Sequence, residues 1–316
     1  MPAAAGLRRE LAGRVSVINS PSAIKVWLLA SRPKTLPAAA APVITGTAVA
    51  WSEGVFSLGP ALAALLGALL IQIGTNLAND VFDFKKGADT SERLGPLRVT
   101  QAGLLAPGQV LAGMWLTFGL ATLIGVYLVI AGGWPIVAIG LLSIISGIAY
   151  TGGPYPLGYN GLGDLFVFIF FGPVAVGGTY YVQALTVSPT ALWASVPLGL
   201  LTTNILVVNN LRDLDTDRRV GKRTLAVRFG PAGARAEYYL LLIATYAIPL
   251  LMWLAGLSSI WVLLTWLSLP LVPPLVRSIQ RETGRPLNLA LAATARLELV
   301  YSLLFSMGFI VQSWVG

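Results

Sequence analysis

Two sets of side chains carry chemistry. Asn76, Asp80 and Asp83 lie at offsets of 0, 4 and 7, and Asn209, Asp213 and Asp217 at offsets of 0, 4 and 8. At about 100° per residue, each set occupies one face of a helix. Four carboxylates brought around one pocket repel each other, and a hard dication relieves that repulsion. Histidine and cysteine are both absent from the chain, so any metal must be held by oxygen. Mg²⁺ suits such a site, because it takes one or two carboxylates, keeps waters and fills its octahedron with phosphate oxygens. Asn76 and Asn209, one turn upstream, are neutral ligands or props for the carboxylates.

Basic residues follow each cluster. Lys86 and Arg98 come after the first, and Lys222 and Arg223 after the second. They could grip a diphosphate, Arg through a two-pronged fork and Lys as a point charge. The same residues also serve as topological charges of a cytoplasmic loop. Upstream, Ser31-Arg32-Pro33-Lys34-Thr35 puts Arg32 or Lys34 where a carboxylate co-substrate could bind. Between two apolar runs, the uncharged stretch 149–161 carries Tyr150, Tyr155 and Tyr159, whose ring faces could screen a cation or simply form an interfacial belt. Asp164 could close the pocket or cap the next helix. Asp215 points away from its neighbours by pitch and reads as a salt-bridging residue. Arg296 and Glu298, in the last apolar run, call for partners in the bundle interior.

The elements that position these groups are membrane helices. Of 316 residues, 56% are hydrophobic and 11% charged, against roughly 25% charged in a soluble domain, and mean hydropathy is +0.76. Continuous apolar runs predict an all-α polytopic membrane protein with nine spans, near 35–52, 59–80, 107–131, 134–150, 162–184, 190–210, 237–256, 258–279 and 289–314. These would form one bundle around a central chamber open to the cytoplasmic side and laterally to lipid. Gly140, Ser143 and Gly147, three or four apart, read as a close helix contact.

All 21 Lys and Arg fall before the first span, in 81–106, 211–236 or 277–285, or at Arg296. Nine crossings bring every basic segment to one side, the cytoplasm by the positive-inside rule. The amino terminus is then inside and the carboxyl terminus outside, in a bacterial inner membrane or its equivalent. The net charge of +8 is a topology signal and an anionic-lipid contact, not a nucleic-acid site. Residues 1–24 have no apolar core before Lys25 and read as a flexible cytoplasmic tail, leaving 25–316 as a single domain. Intramembrane acids also mark cation-coupled transporters, but those sites lie near the midplane, whereas these acids gather at one end.

The chain resembles the UbiA superfamily of intramembrane prenyltransferases from about residue 25 to 314. Its members carry two Asn/Asp-rich motifs on the second and sixth of nine helices, and Asn76-Leu-Ala-Asn-Asp80-Val-Phe-Asp83 and Asn209-Asn-Leu-Arg-Asp213-Leu-Asp-Thr-Asp217 look like them. The segments SRPKTLPAA, GPLRVTQAG and YTGGPYPLGYNGLGD further resemble the MenA-type branch that prenylates 1,4-dihydroxy-2-naphthoate in menaquinone and phylloquinone synthesis. That likeness implies Mg²⁺-dependent transfer, with two ions, of a prenyl or phytyl group from its diphosphate to the naphthoate ring, with loss of CO₂. A 4-hydroxybenzoate or homogentisate ring would need similar chemistry. Many members space the first Asp pair by four, whereas Asp80 and Asp83 are three apart, which leaves open whether Asp83 or Asp89 completes the first shell.

Overall fold

The computed structural model describes residues 22–89 and 93–315, and the expected tail over residues 1–21 lies outside them. Every regular element among the described residues is a helix. A short helix α1 (Ala23–Ser31) begins two residues before the expected domain boundary and ends at Arg32, whose φ of 52° turns the chain through a left-handed position. A 3₁₀ turn with Pro at its first position then leads into α2 (Leu36–Ser52).

The chain continues through α3 (Leu58–Lys85), α4 (Pro107–Gly132), α5 (Trp134–Ala149), α6 (Gly163–Ala184), α7 (Pro189–Arg219), α8 (Leu225–Leu254), α9 (Ile260–Arg281) and α10 (Leu287–Val315). Each expected apolar run is therefore a helix. Seven of them are long and apolar enough to cross a membrane; α2 and α5, of 17 and 16 residues, fall short of that length. Two boundaries differ in a way that matters for function. Helix α3 runs to Lys85 and α7 to Arg219, beyond the apolar ends at 80 and 210, so both acidic clusters sit on helix rather than in loops.

Helix α7 is the centre of the bundle, with 67% of its apolar window buried against 17% for α4. It packs against α2, α6, α8 and α10, while α3 packs chiefly against α4. The approach to α6 is backbone on backbone: a Cβ on Gly199 would lie 2.8 Å from the Phe168 carbonyl oxygen and 3.1 Å from the Gly172 Cα. Helix α6 widens to π geometry over Phe170–Gly177, around Pro173, because proline supplies no amide hydrogen for the α-helical bond. Inside the bundle Glu298 is wholly buried and accepts a 2.5 Å bond from Thr202. Arg296, expected in the interior with it, is exposed.

Between α2, α3, α4, α5 and α6 lies an apolar cavity of about 560 Å³. Gly140, Ser143 and Gly147 line it, and a Cβ on Gly140 would meet nothing within 4 Å. The expected close contact holds at Gly147, where a Cβ would lie 2.4 Å from Thr75 Oγ1, whereas Gly140 leaves room for the chamber. Ile130, Val137 and Leu141 line the same chamber and are 80%, 48% and 59% exposed.

Candidate active site

The first cluster sits on the last two turns of α3. Asp80 and Asp83 are buried to 1% and 2% exposure, a position a carboxylate keeps only when hydrogen-bonded or paired. Asp80 accepts the backbone amides of Val99 and Thr100, both at 3.1 Å, and stands 3.9 Å from the Arg32 guanidinium. Asp83 accepts Arg98 Nη2 at 2.6 Å and the Tyr159 hydroxyl at 2.7 Å. Arg98 Nε also reaches Asp89 at 3.2 Å, and Arg98 donates to the Asn79 carbonyl oxygen. One arginine thus clamps α3 to the following loop. Burial holds the Asp89 carboxyl above its ordinary range, a rise that Arg98 and Arg93, the latter at 2.6 Å, only partly offset.

The second cluster sits on the last turns of α7. Arg212 lies flat against Asp213, Nε at 2.8 Å and Nη2 at 2.5 Å, in the paired geometry a guanidinium favours. Its remaining donors reach Asn209 Oδ1 at 2.8 Å and Asn288 Oδ1 at 2.9 Å. Asn209 therefore orients Arg212, which orients Asp213. Asn76 has a comparable task, donating to the Ser31 carbonyl at 3.0 Å and Thr35 Oγ1 at 2.9 Å, which ties α3 to the start of α2. Asp217 pairs with Lys222 at 3.3 Å, and Asp215 is 84% exposed with Arg218 at 3.9 Å.

A continuous chain of contacts joins the two clusters. Tyr159 donates to Asp83, and the Lys222 ammonium, which pairs with Asp217, lies 4.7 Å from the Tyr159 ring centre. Lys86 Nζ caps the same ring at 5.0 Å and donates to the Thr151 carbonyl at 2.7 Å. Burial and the Asp83 charge raise the Tyr159 hydroxyl well above its ordinary range, so it remains a donor. The loop after α3 makes a second bridge. It carries Arg98 to Asp83 at one end, and at the other its Leu94 carbonyl accepts Asn288 Nδ2 at 2.9 Å.

Three expected residues stand outside this constellation. Tyr155 is 61% exposed, and Lys34 and Arg223 are exposed as well, Arg223 contributing only its backbone amide to the Tyr159 carbonyl at 2.7 Å. Arg32, by contrast, keeps a buried Nη2 with no hydrogen-bond partner. Tyr150 lines the apolar chamber, its ring gripped between Gly158 and Gly163: a Cβ on either glycine would come within 2.9 Å of it. The chamber and the first acidic cluster both lie along α3. Thr75 lines the chamber, and Asp83 follows it at about 12 Å by helix rise.

A protein-family model described as the UbiA prenyltransferase family matches residues 39–310. The chain belongs to this family. It is 40% identical over 305 residues, 93% of this chain and 98% of the relative, to the 1,4-dihydroxy-2-naphthoate octaprenyltransferase of Escherichia coli K12. The enzyme of the same description from Mycobacterium tuberculosis is 43% identical over 230 residues, covering 72% of this chain and 78% of the relative. The fold is also that of a UbiA homolog from Archaeoglobus fulgidus solved with DMAPP and Mg²⁺, at 16% identity and a TM-score of 0.59 over 92% of this chain and 99% of that one.

Within this family member, the sequence offers Arg212 as an ion-pair partner for the carboxylates but gives no sign of Asn288 or of the Val99 and Thr100 amides. Arg212 had a visible signal, a charge next to Asp213 on a mostly apolar helix. Asn288 and the two amides had none, since an amide's role depends on where its loop comes to rest.

Proposed function

We propose that this chain transfers a polyprenyl group from its diphosphate to 1,4-dihydroxy-2-naphthoate, with loss of the ring carboxylate as CO₂. The observation that carries this reading is the contact chain Asp83–Tyr159–Lys222–Asp217, which joins both acidic clusters, the first of them on the helix that also lines an apolar chamber. Polar head and hydrocarbon tail thus have compartments along the same helix. The naphthoate relatives and the DMAPP- and Mg²⁺-bound homolog support the choice of donor, acceptor and metal.

The donor set suits Mg²⁺. Among the described residues no three carboxylates gather closely enough to bind a metal alone, which agrees with an ion that takes one or two carboxylates and completes its shell from a diphosphate. Asp80 and Asp83 would hold one ion and Asp213 and Asp217 a second. Bound there, the ions would neutralise the diphosphate and make it a better leaving group. Arg98, Lys86 and Lys222 supply positive charge around the same anion, and Arg32, whose buried Nη2 is 3.9 Å from Asp80 and makes no hydrogen bond, could donate to the acceptor's carboxylate.

Tyr150, together with Phe166, Phe170 and Phe171 in the chamber wall, offers aromatic faces to an allylic cation and excludes water that would hydrolyse it. Loss of CO₂ in place of a proton spares the protein a strong base, in keeping with the absence of histidine. We further propose nine crossings, with the site at the cytoplasmic face and the chamber open laterally to lipid.

Purified protein given Mg²⁺, prenyl diphosphates of several lengths and candidate ring acids, with products read by mass, tests the reaction. Prenylated, decarboxylated naphthoquinol is the expected product, and its absence under conditions where another ring acid is prenylated refutes the acceptor. Ala68 lines the chamber. In Ala68→Phe, turnover of an eight-isoprene donor should fall about tenfold while a two-isoprene donor is little affected, because the added ring overpacks only a long tail. Tyr159→Phe keeps the ring under Lys86 and Lys222 but removes the prop from Asp83. The Mg²⁺ concentration at half-maximal rate should rise about tenfold; an unchanged Mg²⁺ requirement would show that Asp83 needs no such prop.

A further inference from the structure

Asp164 differs from the four cluster aspartates. It is the second residue of α6, only 7% exposed, and its Oδ1 is fully buried without a hydrogen-bond partner. Each cluster aspartate meets an arginine, a lysine or backbone amides. Asp164 forms no ion pair among the described residues. By helical offset it shares a face with Val167 and Phe171, and both line the apolar chamber.

Its neighbour Gly163 fixes its surroundings further. The Gly163 backbone lies so close to Tyr150 that a Cβ there would sit 2.9 Å from the phenolic oxygen. Asp164, next to Gly163, therefore lies beside Tyr150, a residue of the chamber wall.

A buried carboxylate oxygen in that position lacks a hydrogen-bond donor. Of the ligand parts in the reaction proposed above, the hydrocarbon tail has no donor, and the diphosphate offers only anionic oxygens, which the carboxylate repels. The carboxylate of the ring acid is excluded on the same ground. A ring hydroxyl is the one part that donates. We propose that Asp164 accepts a hydrogen bond from a ring hydroxyl of the aromatic acceptor and so discriminates hydroxylated rings from rings lacking that group. This rests on the prenyl-transfer reading and adds to it the residue that orients the nucleophile.

The test compares wild type, Asp164→Ala and the near-isosteric Asp164→Asn in steady-state kinetics, varying acceptor and donor separately. The acceptors are 1,4-dihydroxy-2-naphthoate and the two monohydroxy-2-naphthoates that each lack one hydroxyl. Asp164→Ala should raise the KM for the dihydroxy ring about tenfold, the worth of one hydrogen bond to a charged group. The KM for prenyl diphosphate should stay within about twofold. The preference for the dihydroxy ring over one monohydroxy analogue should shrink by the same tenfold.

Wild-type acceptor KM and preference in the folded variants would overturn the assignment, as would an equal rise in both KM values. Should Asp164→Ala fail to fold, Asp164→Asn and the wild type's own preference among the three rings decide the matter, and a wild type indifferent to both hydroxyls refutes it. A wild type that prenylates the naphthoate while Asp164 proves dispensable sinks this inference alone. A wild type that prenylates no ring sinks the reaction beneath it.

Discussion

Asp213→Asn and Asp80→Asn are each expected to lower prenyl transfer about 100- to 1,000-fold, the usual cost of removing one preorganised electrostatic partner of a transition state. Both substitutions keep size and remove charge. In Asp213→Asn the buried Arg212 loses the carboxylate that takes its 2.8 and 2.5 Å bonds, and an ion bound at the second cluster loses a ligand. In Asp80→Asn one oxygen remains where two accepted the Val99 and Thr100 amides. Turnover at saturating Mg²⁺ and prenyl diphosphate measures the loss, with thermal unfolding as the control for folding. Near-wild-type turnover in either variant would remove that aspartate from the reaction.

Arg98→Ala should produce the largest loss of stability. Its guanidinium is 6% exposed and pairs with Asp83 and Asp89, whose side chains are 3% and 1% exposed. Deleting one partner of a buried ion pair costs about 3–5 kcal/mol, because the other charge stays behind without compensation. Here two buried carboxylates each lose a guanidinium, Asp83 keeping the Tyr159 hydroxyl and Asp89 keeping Arg93. An unfolding midpoint lowered by roughly 5 °C or more in detergent is expected, with Arg98→Lys in between, since an ammonium preserves charge but not the fork that spans two acids. If Arg98→Ala melts with the wild type, the clamp between α3 and its loop is not a source of stability.

The two acidic clusters were legible in the sequence because helical periodicity alone puts Asp80 with Asp83, and Asp213 with Asp217, on common faces. Lys222 and Arg98 were legible as cations near those clusters. Their partners were not. Lys222 pairs with Asp217 and Arg98 with Asp83 and Asp89 only because the loops fold back over their own helices. Tyr159 and Tyr155, four residues apart, look equivalent in the sequence, yet one bonds Asp83 and the other is 61% exposed. A turn rich in glycine and proline carries no period from which to read direction. Gly140 was misjudged for a related reason, since small side chains permit either contact or cavity.

By itself the sequence determined a helical membrane protein with two acidic clusters, each on one helix face, because hydropathy and helical pitch are local properties of the chain. Only the tertiary structure decided that Tyr159 and Lys222 join the two clusters, that Arg212 and Asn288 brace one of them, and that Tyr150 lines the chamber. Those relations depend on how residues far apart in the chain pack in three dimensions, and no local pattern encodes that.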